Sequence, residues 1–181
     1  LIPVSMGDSF RGYRIVGTTH DYLHHYAAEL AQGVQWSAPM QAVIGSQVAQ
    51  HGGLRLGDSF AGTHGLGGGA HAHELSPYTV VGVLKPSQTV LDRLVLTSTE
   101  SVWQVHETDV ALDDEDRRVL KADREVTLAL VRYNTPLAAV SFPRFVNSTT
   151  EMQAAAPALE ITRLLGMVGI GVDVLKAFAG V

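Results

Sequence analysis

The sequence predicts an α+β fold in which a small β-rich lobe is inserted into a larger βα lobe. Two observations carry this: strand-then-capped-helix patterns stand toward both ends of the chain, and the middle reads as short strands and turns around the strongest strand signal, YTVVGVL at 78–84. The 181 residues, 46% hydrophobic and 17% charged, suffice for one core or two small lobes and exclude disorder. A mean hydropathy of +0.13 suits a globular chain that works near a membrane.

In chain order, residues 13–17 form a strand, and Thr18 and Asp21 have the spacing to cap a helix start. A helix over 21–32 follows, with Leu23, Tyr26, Ala27 and Leu30 on one face and Gly33 as its stop. Residues 42–44 make a strand, the run from Gly45 to Gly53 one or two helical turns, and 54–60 a hairpin around Gly57-Asp58. The stretch 61–77 is a loop of glycine and histidine. The continuous apolar run of 78–84 implies a strand buried on both faces.

Residues 94–96 are a further strand, and Thr97-x-x-Glu100 opens a helix carrying Val102, Trp103 and His106. Ten of the thirteen residues 113–125 are charged with mixed signs, a solvated linker or helix. A strand follows over 126–133, then Thr135-Pro136 as N-cap and first helical residue, with Pro143 expected to kink or split that helix. From Glu151 a helical pattern leads into 164–181, where Asp173 and Lys176 are the only charges. That tail reads either as an apolar helix packed on a core or as the start of a transmembrane helix. With no Met at position 1, the chain is expected to be a piece of a longer protein.

Charge and composition restrict the chemistry. Thirteen Lys and Arg against eighteen Asp and Glu give a net charge of -5, so there is no broad basic face and no nucleic-acid partner is expected. The absence of cysteine removes thiol nucleophiles, disulfides and cysteine-based metal sites. The chain has no phosphate-binding GxxxxGK[ST] loop, so it is not expected to hydrolyse ATP itself. His64, His71, His73 and Glu74 lie within eleven residues, and three imidazoles with a carboxylate suit a modest Zn site. The alternative is a solvated connector. His20, His24 and His25 are expected at the surface.

Gly7-Asp8-Ser9 resembles the nucleophile block of GDS-type esterases, and Asp21-x-x-His24 has the spacing of their acid and base. Only twelve residues separate Ser9 from Asp21, no Gly-x-Asn-Asp block occurs, and GDSF recurs at 57–60 as turn chemistry would, so no catalytic residue and no enzymatic activity are expected.

A strand into a capped helix ending at Gly33, followed in order by AVIGSQVAQ, LGDSF and YTVVGVL, resembles the extracytoplasmic domain of MacB-like ABC transporter permeases, the group that includes the LolE and FtsX types. The resemblance spans about residues 13 to 150. It implies a non-catalytic periplasmic domain of a bacterial inner-membrane protein, lying between the first two transmembrane helices of a permease. The fold implied is a porter-like α+β lobe at 1–40 and 97–150, an inserted β-rich lobe at 41–96, and a stalk helix at 151–181. The implied partners are the cognate ABC ATPase subunit, a second permease copy, and a periplasmic adaptor or substrate protein. No cofactor is required on this reading.

Overall fold

The computed structural model describes residues 1–63, 76–110, 118–121 and 124–179. They fall into two compact units, Leu1–Val131 and Arg132–Val181. The fold is mixed α+β. In the first unit, strands β1 (Ile2–Phe10), β2 (Tyr13–Thr18), β3 (Leu30–Gly33), β4 (Gln41–Ile44), β6 (Tyr78–Leu84), β7 (Leu94–Ser98) and β8 (Leu128–Leu130) form one open sheet, and β5 (Ser59–Phe60) joins it on β6. The strand order is β3-β6-β4-β7-β2-β1-β8, with β2–β7 and β4–β6 parallel and the other pairs antiparallel. The unit also holds helices α1 (His20–His25), α2 (Ser46–Gly52) and α3 (Thr99–Val110), a 3₁₀ turn at Val90–Arg93 and a helical turn at 118–121.

Successive side chains of a strand point to opposite faces, so the central strands feed two cores at once. Ile15, Ile44 and Val95 enter a cluster with Val48 of α2, Val105 of α3, Phe60 and Tyr78. Their neighbours Val16, Val43 and Leu96 enter the other, with Tyr22 and Leu23 of α1, Trp36 and Leu91 of the 3₁₀ turn. β6 is less buried than its apolar run predicts: Val80 is sealed in the first cluster, whereas Val81 packs against the second only half-buried and Thr79 is exposed. Gly45, between β4 and α2, tolerates no side chain, because a Cβ there would lie 2.1 Å from the Leu91 carbonyl.

Several local expectations are corrected. The helix over 21–32 stops at His25: Ala27 adopts φ 49°, and the chain turns into β3, which pairs with β6 and ends at Gly33 with φ 76°. The one-face spacing fitted a helix, but the open edge of β6 offered a full set of backbone partners instead. Thr18 does not cap α1; its Oγ1 donates to the Pro3 carbonyl at 2.7 Å, tying β2 to β1. At α3 the cap shifts by one: the Ser98 hydroxyl accepts from the Ser101 amide, while Thr97 donates to the Gln41 carbonyl. The hairpin at 54–60 reduces to its turn, with the Asp58 carboxylate accepting from the Arg55 amide at 2.8 Å, and only Ser59–Phe60 is strand. β1 had no sequence expectation at all.

The second unit holds α4 (Pro136–Thr149) and α5 (Pro157–Ala179). Thr135 caps α4 as expected, accepting from the Ala138 amide at 3.3 Å, with Pro136 in the first turn. Pro143 lies inside α4 without splitting it. The Asn147 side chain brackets the following turn, donating to the Ala154 carbonyl at 2.9 Å and accepting from the Ala154 amide at 2.6 Å. The helical pattern from Glu151 becomes helix only at Pro157, and every residue of α5 through Phe178 is exposed. Among the described residues, no helix is long and apolar enough to cross a membrane.

Candidate functional site

The proposed metal ligands His64, His71, His73 and Glu74 lie outside the described residues, and within the described set no group of three or more His, Asp and Glu could hold an ion. His24 and His25 are exposed, as expected. His20 is not a surface histidine: it is half-buried, its ring stacks obliquely on Trp36 with centroids 4.7 Å apart, and Nε2 lies 2.9 Å from the Trp36 carbonyl.

The esterase-like residues are placed for structure. Ser9 is 1% exposed, and its backbone exchanges hydrogen bonds of 3.0 and 2.8 Å with Thr63. A nucleophile has to meet its substrate, and a hydroxyl sealed in this way does not. Asp21 and His24 face each other 3.8 Å apart on the exposed side of α1. The two GDSF strings do backbone work in different ways: Gly57-Asp58 makes the turn before β5, whereas Gly7-Asp8 forms the bulge where the β1–β2 register shifts between Met6 and Ser9.

Two constellations on the first unit were missed in the sequence. One is an apolar groove of ≈ 420 Å³ on the sheet face that carries α1. Its floor is Val4, Met6, Val16 and Leu94; Tyr22 of α1 and Val90 of the 3₁₀ turn form its walls, and Arg14 stands at its edge. The register explains the gathering, since Met6 lies opposite Val16 and Arg14 opposite Leu94. The bulge frees the Gly7 carbonyl, which accepts from Arg14 Nη1 at 3.3 Å. Burial and the neighbouring Tyr26 push the Tyr22 hydroxyl up to about 12, so it stays neutral. A single basic residue within the apolar strand 13–18 was the only sequence signal.

The other is a clasp on α3. Arg124 meets the Glu107 carboxylate through Nε at 2.6 Å and Nη2 at 3.0 Å, reaches Glu100 at 3.3 Å, and lies over the Trp103 ring at 5.1 Å. Trp103 Nε1 in turn donates to the Glu125 carbonyl at 2.7 Å. The hydrogen bond from Arg124 holds the Glu107 carboxyl below the usual glutamate range. This clasp pins the segment leading into β8.

No protein-family model matches the chain, and no curated protein matches it in sequence. Among solved structures it is similar to the periplasmic region of MacB from Actinobacillus actinomycetemcomitans, at 13% identity and a TM-score of 0.49, over 89% of this chain and 73% of that one. It is also similar to a domain of a permease protein from Porphyromonas gingivalis, at 14% identity and a TM-score of 0.40, over 83% of this chain and 63% of that one. Both likenesses are of fold alone.

Proposed function

We propose that the chain is a non-catalytic extracytoplasmic domain of a MacB-like ABC permease, coupling nucleotide-driven movement of membrane helices to the handling of a substrate or partner outside the membrane. The observation that carries the reading is the pairing of the first unit's first and last strands. β8 runs antiparallel to β1 with Ile2 opposite Leu130, so the chain enters the unit and leaves it toward Arg132 side by side at one sheet edge. A domain held between two membrane helices needs both connections at one place. The strings that resemble the family support the same reading because they form one block: AVIGSQVAQ is β4 and α2, LGDSF leads into β5, YTVVGVL is β6, and β6 pairs with both β4 and β5. On this reading the ATPase subunit and the second permease copy act through the parent protein, and α5 is the lever.

The absence of cysteine makes the test clean. Asp21, on the exposed side of α1, is replaced by Cys in the parent protein on a background without other cysteines. A membrane-impermeant maleimide should label it in cells whose outer membrane is opened but whose inner membrane is intact, and spin labels there on two copies should change their separation when ATP is added. Labelling only after lysis of the inner membrane would sink the reading. Zinc binding by His64, His71, His73 and Glu74 stays a separate proposal resting on ligand chemistry, read out by calorimetry on the parent chain and on the His71→Ala, His73→Ala variant.

A further inference from the structure

We infer that the groove beside Arg14 is a binding site for a fatty acid, with the alkyl chain over Val4, Met6, Val16 and Leu94 and the carboxylate on the Arg14 guanidinium. The volume of ≈ 420 Å³ falls in the range of small-molecule sites, about 300–1,000 Å³. Its lining is apolar apart from Arg14 and the Tyr22 hydroxyl. Met6 and Val90 are about half exposed, at 45% and 50%, beside the buried Val4 and Val16, so the groove opens to a ligand over an apolar floor.

Charge decides the occupant. Among the described residues no ion pair includes Arg14, and its one hydrogen bond, to Gly7, leaves most of its five donors unused. A neutral hydrocarbon in the groove would strip water from that guanidinium without replacing it, and an amine would be repelled. A carboxylate accepts two parallel hydrogen bonds from the planar fork, and its single alkyl chain covers the apolar floor. The inference goes beyond the transporter reading and does not depend on it.

The test uses the whole 181-residue chain and laurate below its micelle concentration, measured by displacement of a fluorescent fatty acid, with dodecanol and dodecylamine as controls. Laurate should bind at one saturable site, roughly tenfold tighter than either control, the difference expected of a charge-assisted pair. Arg14→Gln should erase that preference. Val90→Asp, at a half-exposed rim position, should weaken laurate by a similar factor with the thermal midpoint unchanged. A laurate with a terminal diazirine should label the segments around residues 4–16 and 90–94. Laurate bound no better than dodecylamine, a preference that survives Arg14→Gln, or label confined to 157–179 would each overturn the site. Such a failure leaves the transporter reading standing, since that rests on labelling of the parent protein across the membrane.

Discussion

The two units use apolar residues in opposite ways. In Leu1–Val131 the central aliphatic residues of β2, β4 and β7 are sealed: Ile15, Val43, Ile44, Val95 and Leu96 are all at 0% exposure. In Arg132–Val181, Val146 and Ala156 are the buried apolar residues among those described, while Leu164, Leu165, Ile170 and Leu175 stand in solvent. A sheet with both faces covered completes its own apolar contacts. Helix α5 does not: four charged residues, Glu160, Arg163, Asp173 and Lys176, stand among its apolar side chains, and those side chains are left exposed. The first unit is therefore where stability is stored, and α5 is where it is nearly indifferent to sequence in water.

The sharpest way to break this contrast is to truncate the same side chain in both regions. Leu96→Ala leaves a cavity between covered faces and should cost about 2–5 kcal/mol, whereas Leu165→Ala should stay within about 0.5 kcal/mol, both read from urea unfolding of the whole chain. Equal costs would mean that α5 is packed in solution.

Glycines sharpen the contrast because the sign changes. Gly45→Ala drives a methyl group into the Leu91 carbonyl and should destabilise by about 1–3 kcal/mol. Gly166→Ala meets nothing within 4 Å and should raise the helicity of α5, stabilising it by up to about 1 kcal/mol in circular dichroism melts.

A smaller effect lies in the clasp. Glu107 and Arg124 are largely shielded, at 15% and 21% exposure, and Arg124→Gln should cost about 1–2 kcal/mol at pH 7. The Glu107 carboxyl titrates below its ordinary value in the folded state, so the clasp contributes fully above an unfolded glutamate pKa of about 4.3 and is lost as pH falls through the lower folded value. The gap between parent and Arg124→Gln should thus close in melts carried down to acid pH; a constant gap would assign the loss to the Trp103 contact instead.

What could be read from the sequence divides along the same physical line. β6 was expected over 78–84 and occupies that span, and the Thr135-Pro136 start of α4 is a local device that works wherever it occurs. Residues 26–32 were misread as helix because the strand partner of Leu30–Gly33, the edge of β6 at Gly82–Leu84, is remote in sequence and leaves no mark on local spacing. β1 was missed for a related reason: it buries Ser5, Asp8 and Ser9, polar residues that interrupt the apolar pattern by which a buried strand is read. The groove is less visible still. It exists only because the β1–β2 and β2–β7 registers set Met6, Val16, Arg14 and Leu94 together, and no spacing within any one strand encodes that.

The three-residue ladder between β1 and β8 also has a mechanical meaning. Because the strands are antiparallel and the two chain connections lie at the same end, a force that spreads those connections loads the Ile2–Leu130 pair first, then Pro3–Ala129, then Val4–Leu128. The ladder would peel like a zipper rather than slide, yielding one pair at a time at low force. Behind the last pair, Thr127 Oγ1 accepts from the Met6 amide, and the Arg124 clasp fixes the chain to α3. Under such a load the seam would yield over its first three pairs and be held beyond them by these side-chain contacts.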